Sequence, residues 1–286
     1  MDLQTVSNIS SELGEGPLYH QGNFYWVDII GKKINKLGPD GQESCIYEGD
    51  KAPTSIVPGS RGELFVTLED GFYKLTEKGP ENAGSFQIND SLVRFNDGKC
   101  DPNGNYWAGT MDRAENKFKG SMYILKPDFS IVNILAGICV SNGLCWNEDM
   151  TTFYFIDSPS KKIIAYDFDS EKLILSNKRS IYQLDDINVF PDGMTVDMEG
   201  NLWLALWDGY SVICVNPETH SLVQKIDVPC AKVTSCCFGG EVFDELYITT
   251  ASKDMTAEDW EKYPDSGKVF KIKPGVLGFP ADKFGG

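Results

Sequence analysis

The sequence predicts an all-β protein, a six-bladed β-propeller built from four-stranded antiparallel blades. Three observations support this prediction: a repeat with a period in the forties, aromatic and β-branched runs bounded by Gly and Asn inside each repeat, and no long amphipathic helical pattern. Such a period, with strands inside each unit, is typical of propeller blades. Six blades use all 286 residues, so we expect residues 1–286 to form one domain.

The repeat is marked by a short polar run that recurs six times along the chain. It aligns residues 15, 55, 96, 142, 192 and 235, with steps of 40, 41, 46, 50 and 43 residues. Four of the aligned side chains carry oxygen atoms that can bind a cation: Glu15, Asn96, Asn142 and Asp192. A propeller brings equivalent positions of its blades to a central channel, so we expect these four residues to converge.

Each repeat is predicted to contain four strands. A first strand and a turn are followed by a second and a third strand, and then by an outer strand. Second strands are predicted at 24–27, 106–109, 153–156, 202–205 and 246–249, and third strands at 33–37, 71–75, 121–125, 163–167, 211–215 and 268–272. One short helix is expected at 256–261, with Thr256 as its N-cap and Asp259 three residues later.

The composition of the chain limits its expected partners, its location and the state of its cysteines. The formal net charge of −16 argues against nucleic acid and anionic membrane surfaces as partners. The sequence has no run of 18 apolar residues and no basic-then-apolar N-terminus, so we expect no transmembrane helix, no signal peptide and a cytoplasmic location. The eight cysteines are expected to be reduced and mostly buried.

Several catalytic and binding motifs are excluded. The two histidines, His20 and His220, fall in predicted turns, which disfavours a Ser-His-Asp or Cys-His relay. No Walker loop and no dinucleotide fingerprint occurs. An EF-hand loop starting at Asp101 fails because Tyr106 stands where glycine is needed.

The aligned oxygen-bearing residues predict a metal site near the axis, with candidate ligands in Glu15, Asn142 and Asp192 and, in a fourth repeat, in Asn96 and Asp97. Carboxylate and amide oxygens are the ligands of hard cations, and two carboxylates at one place repel each other unless a cation offsets them. We expect one divalent cation, Ca²⁺ before Zn²⁺, Mn²⁺ or Mg²⁺. In the alternative interpretation, the Asn-Gly and Asp-Gly pairs are only turn formers.

Such a site also has room for substrate chemistry. A cation with three protein ligands keeps positions open for water and substrate and can polarise a carbonyl. Arg94 lies two residues before Asn96 on a predicted strand, so both side chains face the same side, and Arg94 is the candidate for orienting a substrate. The alternative is that Arg94 only pairs with a carboxylate.

The chain resembles the senescence marker protein/gluconolactonase/luciferin-regenerating-enzyme-like family over nearly its whole length. The matching segments are Gly14-Glu15-Gly16-Pro17, Arg94-Phe95-Asn96-Asp97-Gly98-Lys99, Asp101-Pro102 with Ala108-Gly109-Thr110-Met111, Ser141-Asn142-Gly143-Leu144, Phe155-Ile156-Asp157-Ser158, Pro191-Asp192-Gly193-Met194, and Thr234-Ser235-Cys236-Cys237-Phe238-Gly239-Gly240.

This resemblance implies a six-bladed propeller that hydrolyses sugar lactones with one divalent cation. It implies that Glu15, Asn142 and Asp192 bind the metal, that Asp192 is also the general base, and that Arg94 and Asn96 contact substrate. A glutamate of the loop at 112–119 contacts substrate in some members. Here Ala114 stands at the matching position and Glu115 is next to it, so Glu115 is the candidate contact and the substrate range is open.

Two functions from different classes follow. The first is a metal-dependent lactonase that takes a small aldonolactone such as gluconolactone and acts as a monomer or weak dimer. The alternative is a calcium-binding regulatory protein with weak or vestigial hydrolase activity. Hydrolysis of organophosphate esters and a scaffold for protein partners are weaker alternatives, because Arg94 and Asn96 make the pocket polar and a scaffold needs no ligand cluster.

Overall fold

The computed structural model describes residues 2–286, which form β-sheets almost throughout. After the short strand β1 (Gln4–Thr5), the chain forms four sheets of four antiparallel strands, each in chain order. They are β2 (Gly14–His20), β3 (Asn23–Asp28), β4 (Lys33–Leu37) and β5 (Glu43–Glu48); β6 (Pro53–Pro58), β7 (Leu64–Leu68), β8 (Gly71–Thr76) and β9 (Gly79–Gln87); β10 (Val93–Cys100), β11 (Tyr106–Asp112), β12 (Gly120–Leu125) and β13 (Ile131–Ile138); and β14 (Ser141–Trp146), β15 (Thr152–Asp157), β16 (Lys162–Asp169) and β17 (Ile174–Gln183).

A fifth, larger sheet holds the rest of the chain and also β1. Its strands are β18 (Phe190–Val196), β19 (Leu202–Trp207), β20 (Ser211–Asn216), β21 (Ser221–Asp227), β22 (Lys232–Gly239), β23 (Glu245–Ala251) and β24 (Phe270–Ile272). Strands β18 to β21 form one antiparallel run, and β22, β23, β24 and β1 form another. The two runs are joined by the single registered pair of Trp207 and Lys232.

The all-β class with four-stranded antiparallel sheets is confirmed and is consistent with a propeller, whereas the blade count of six stays a prediction. Predicted strand positions agree closely with the observed ones, and β4 begins and ends where the sequence placed it. The predicted helix is α1 (Ala257–Lys262). Thr256 caps it, and Asp259 completes a reciprocal capping box, as expected for this pair of residues at this spacing.

Each first strand is interrupted by a β-bulge or similar irregularity at or directly beside the aligned residue of its repeat. The register breaks lie between Glu15 and Leu18, Pro53 and Ser55, Phe95 and Gly98, Asn142 and Leu144, Pro191 and Met194, and Val233 and Ser235. A bulge leaves a residue out of the ladder and changes the direction of its side chain. The sequence repeat therefore marks a backbone irregularity as well as a set of side chains.

The bulged strands pack against one another across the sheets. Strand β2 contacts β6 and β22, β10 contacts β6 and β14, and β18 contacts β14 and β22. Large rings fill the space between sheets, and Trp26, Trp107 and Trp203 are fully buried. The indole nitrogens of Trp107 and Trp203 each donate to a buried aspartate, Asp101 or Asp197, at 2.8 Å. Buried tryptophans thus keep their hydrogen bonds while supplying apolar area.

The cysteines agree with the sequence expectation. All eight are free thiols, and only Cys45 is exposed, while Cys237 is half-buried. Among residues 2–286, no helix is long and apolar enough to cross a membrane.

Candidate metal centre and substrate pocket

One cavity of about 490 Å³, which we call the main cavity, is lined by every residue that the sequence predicted for the site. These residues are Glu15, Arg94, Asn96, Glu115, Asn142 and Asp192. Glu15, Asn96, Asn142 and Asp192 belong to four different first strands and are at least nine-tenths buried. The fold thus brings together residues up to 177 positions apart, from 15 to 192, although their individual roles stay predictions.

Two carboxylates of this cavity, those of Glu15 and Asp192, are buried. Burial raises the pKa of Glu15 well above its usual range, and the negative charges of Asp192 and Asp97 raise it further. The pKa of Asp192 is also raised, first by burial and then by Asp97 and Glu115. Charged carboxylates in such a place are unfavourable unless a cation compensates them.

Asn142 is held with its amide oxygen available. Its Nδ2 donates to the Ser158 hydroxyl at 2.7 Å, while its Oδ1 accepts from Asn96 Nδ2 at 2.8 Å and keeps a second lone pair. Ser158 lies in a short 3-10 turn, Ser158–Ser160, and its hydroxyl donates to the Pro191 carbonyl at 2.6 Å. This chain of hydrogen bonds links β10, β14 and β18 and orients the amide.

The donor set fits a hard cation. Among residues 2–286, no group of three or more His, Cys, Asp and Glu side chains is placed to hold a metal, so a site here depends on the Asn142 amide as the third ligand. Glu15, Asn142 and Asp192 offer only oxygen, which suits Ca²⁺, Mg²⁺ or Mn²⁺ better than soft metals. The unfavourable burial of two uncompensated carboxylates is the observation that favours a cation.

Arg94 and Asn96 lie beside this group and contact each other. Arg94 Nη1 donates to Asn96 Oδ1 at 2.7 Å and to the Phe95 carbonyl at 2.9 Å. Burial, with the nearby Arg113 charge, lowers the Arg94 pKa to about 10, so the group stays protonated at neutral pH. No carboxylate among the described residues pairs with it within 4 Å, so the carboxylate-pairing alternative is not observed.

Glu115 stands at the lip of the cavity, in the loop after β11. It is exposed and has a left-handed backbone (φ 56°), and its amide donates to the Asp112 carbonyl at 2.9 Å. Asp112 also accepts from the amides of Asn116 and Lys117, and Arg113 pairs with Glu69 at 2.6 Å. These contacts hold the loop in place over the pocket edge.

Asn96 and Asp97 are adjacent in the sequence, but their side chains line different cavities. Asp97 lines a second cavity of about 240 Å³, bounded by the other halves of the first strands and by residues 279–282. Burial raises the Asp97 pKa, and the Lys99 charge opposes that rise. Asp97 thus adds negative charge near the two carboxylates without lining their pocket.

Sequence reasoning missed several residues of the main cavity, namely Ser158, Trp207, Lys232 and Lys253. Ser158 had one available signal, because it follows a second strand directly and precedes Pro159. The other three lie at strand ends of the larger sheet, and nothing in their local sequence distinguishes them from surface residues.

Comparison with known proteins identifies close relatives of the whole chain. The family model described as SMP-30/Gluconolactonase/LRE-like region matches residues 13–252. YvrE of Bacillus subtilis, named as a candidate sugar lactone lactonase, is 34% identical over 100% of this chain and 99% of its own. Regucalcin of Gallus gallus is 36% identical over 99% of this chain and 98% of its own. The solved structure of a luciferin-regenerating enzyme is 31% identical, with a TM-score of 0.89 over 99% of this chain and 98% of its own.

Proposed function

Because the chain belongs to the SMP-30/gluconolactonase/LRE-like family, we propose that it is a divalent-metal-dependent lactonase that hydrolyses sugar lactones such as gluconolactone. The observation that carries the proposal is the convergence of two buried carboxylates, Glu15 and Asp192, with a polar, cationic substrate wall in one cavity. Relatives named for lactonase activity support the substrate class.

The propeller that carries this site has six blades in our proposal, within a single domain of residues 1–286. The eight-stranded sheet supports this count, because its two four-stranded runs share only the Trp207–Lys232 pair. The six bulged strands also contact one another in a closed order, β2, β6, β10, β14, β18 and β22. Strand β1 then completes the last blade beside β24, as the N-terminal strand of the chain.

In the proposed reaction, Glu15, Asn142 and Asp192 would hold the cation. When bound, it would supply Lewis-acid polarisation of the lactone carbonyl and would make the attacking water more acidic. Asp192 accepts the proton of the attacking water as general base. Water adds to the carbonyl carbon, the ring C–O bond breaks, the ring oxygen leaves as a hydroxyl group by taking back the proton from Asp192, and the product is a hydroxy acid.

The remaining residues position the sugar. Arg94 presents a planar set of donors whose direction is fixed by its bonds to Asn96 and to the Phe95 carbonyl, so it can orient ring oxygens. Asn96 is fixed in turn by Asn142 and the Ser141 carbonyl at 2.8 and 2.7 Å. Glu115 closes one edge of the cavity and can accept from sugar hydroxyls. Each of these groups lowers the entropy of the bound substrate.

The test is an assay of lactone hydrolysis by the purified full-length protein. Hydrolysis is monitored through the protons released at constant pH. Activity on gluconolactone should disappear after chelation and return with Ca²⁺ or another divalent cation. Glu15→Gln should weaken metal affinity by about 10–100-fold, since even outer-shell changes at metal sites have that effect. The control Glu171→Gln removes an exposed charge and should leave metal affinity unchanged.

No hydrolysis above the spontaneous rate in any metal state would contradict the lactonase proposal. Metal binding that survives in such an inactive protein would instead support the second candidate, a calcium-binding regulatory protein. The relatives named regucalcin favour that alternative. The presence of Arg94 and Asn96 in the cavity favours the enzyme, because cation binding alone does not need them.

A further inference from the structure

We propose that the wall of the main cavity formed by Trp207, Lys232 and Lys253 is an anion subsite, and that the preferred substrates are lactones with a carboxylate or phosphate at the end far from the lactone carbonyl. This inference rests on the proposed function, because it assigns a substrate class to the same pocket. We call these three residues the lysine wall.

The lysine wall belongs to the same cavity as the two carboxylates. Trp207 ends β19, Lys232 begins β22, and Lys253 follows β23, and all three line the cavity with Glu15 and Asp192. The first two residues are directly opposite each other in the ladder. The wall therefore closes the side of the pocket contributed by the larger sheet.

Strand register and packing place the wall beside the proposed metal ligands. Phe190 pairs with Trp207, and Asp192 lies two residues beyond Phe190 on β18. Strand β22, which begins at Lys232, also packs directly against β18. A substrate bound at the proposed metal ligands therefore lies in the same cavity as the lysine wall.

The ammonium groups of the wall lack carboxylate partners. Lys232 Nζ and Lys253 Nζ lie 5.4 and 5.9 Å from the centre of the Trp207 ring. Among residues 2–286, neither comes within 4 Å of a carboxylate, although Asp208 and Asp254 line the same cavity. Lys232 donates to the Lys253 carbonyl, which holds the two lysines together. Lys253 Nζ itself donates to no described residue.

Two of the three lysine and arginine side chains that line this cavity, Lys232 and Lys253 beside Arg94, belong to the lysine wall. The chain has 42 acidic and 26 basic residues, and the cavity itself is lined by Glu15, Glu115, Asp192, Asp208 and Asp254. A neutral sugar needs no positive charge at this place, whereas an anionic end group would pair with Lys253. Arg94, on β10, lines the same cavity from a different sheet.

The experiment compares matched pairs of lactones at saturating metal. One pair is D-glucono-1,5-lactone and its 6-phosphate, and the other is D-glucono-1,4-lactone and D-glucaro-1,4-lactone, which carries a carboxylate. We expect KM for the charged member to be about tenfold lower, with an advantage that shrinks as salt rises. The two pairs distinguish phosphate from carboxylate as the preferred group.

Lys253→Gln should raise KM for the charged lactones about five- to tenfold with kcat little changed, because the lost contact is made equally in the ground and transition states. The ratio of KM between charged and neutral lactones is the readout, so a general loss of folding cannot imitate it. Lys253→Arg should keep the ratio, and the control Lys225→Gln, on an outer strand, should not change it.

Equal KM values for charged and neutral lactones in the wild-type protein would overturn the inference, as would a Lys253→Gln variant that affects both by the same factor. If no lactone is hydrolysed, the proposed function fails separately. Calorimetry with 6-phosphogluconate then decides the subsite: binding to wild type that Lys253→Gln weakens supports it, and no binding, or equal binding by both proteins, overturns it.

Discussion

Glu15 and Ser55 stand at the same place in neighbouring sheets, each at the bulge of a first strand, but their oxygens have different surroundings. Ser55 is fully buried, and its hydroxyl lies 2.6 Å from both Tyr106 Oη and Thr67 Oγ1. Among residues 2–286, the Glu15 carboxylate accepts one hydrogen bond, at 3.4 Å from the Gly16 amide, and it lines the main cavity. The same β-bulge thus carries a hydrogen-bonded hydroxyl in one sheet and a carboxylate without strong hydrogen-bond partners in the next.

The bulge is therefore a structural feature of every first strand. Function depends on whether the side-chain oxygen beside the bulge already has hydrogen-bond partners within the protein. At β22 the hydroxyl of Thr234, beside Ser235, likewise donates to the Gly14 carbonyl at 2.5 Å and lies 2.9 Å from Thr249 Oγ1. The serine-bearing positions are expected to affect stability when changed, and the carboxylate-bearing positions to affect activity. The following predictions test this division.

The largest effect is expected for Asp192→Asn. This change keeps the shape and one ligand oxygen but removes the charge and the proton acceptor, so kcat should fall by about 10²–10⁴-fold with little change in melting temperature. Steady-state kinetics with saturating metal, beside a thermal melt, provide the measurement. Asp185→Asn removes an exposed carboxylate and serves as the control. Near-normal turnover of the metal-loaded variant would remove Asp192 from the role of base.

A smaller kinetic effect is expected for Arg94→Lys. A flexible point charge cannot reproduce the planar donors that bond Asn96 and the Phe95 carbonyl, so kcat/KM should fall by roughly tenfold or more while the melting temperature changes little. Arg179→Lys, at an exposed ion pair with Asp167, is the matched control. Wild-type kinetics with a lowered melting temperature would place Arg94 among the structural residues.

The two carboxylates predict a pH dependence of stability in metal-free protein. The folded-state pKa values of Glu15 and Asp192 are raised, so the folded state binds more protons than the unfolded state. Stability from these groups should therefore be greatest below about pH 4, near their unfolded pKa values, and should fall as pH rises through the raised values.

Thermal melts with chelator at several pH values measure this effect. The double variant Glu15→Gln/Asp192→Asn cannot ionise at these positions, so its melting temperature should exceed that of wild type increasingly from pH 5 to pH 8. Added Ca²⁺ should restore the wild type and leave the variant unchanged. A difference between the two proteins that stays constant with pH would contradict the charge repulsion.

Ser55→Ala should show the opposite behaviour to the carboxylate variants. Loss of its bonds to Tyr106 and Thr67 in a fully buried place should reduce the free energy of unfolding by about 1–3 kcal/mol. Its KM and kcat should stay near wild type, because Ser55 does not line the main cavity. Denaturant unfolding and steady-state kinetics are the measurements, with exposed Ser60→Ala as control. If Ser55→Ala lost activity strongly without losing stability, the proposed distinction between serine-bearing and carboxylate-bearing bulges would be wrong.

Much of the fold could be predicted from the sequence, since strand composition and turn residues act locally. Strand β4 lies where the pattern put it, and Thr256 and Asp259 form the expected capping box. The repeat also aligned positions 15, 96, 142 and 192, which line one cavity, whereas Glu115 was predicted only from the family resemblance. Lys232 and Lys253 could not be predicted, because they lie outside the aligned positions and reach the cavity only through sheet packing.

The sequence by itself determined the β class, the period of the repeat and the oxygen-bearing residues at its aligned positions, since strand propensity and side-chain chemistry belong to each segment. The tertiary structure decided which of those oxygens remain available. Ser55 is satisfied by Tyr106, 51 residues away, whereas Asp192 is buried beside other carboxylates that the chain supplies from distant strands. Hydrogen-bond partners and burial of this kind depend on how the sheets pack, and no local pattern encodes them.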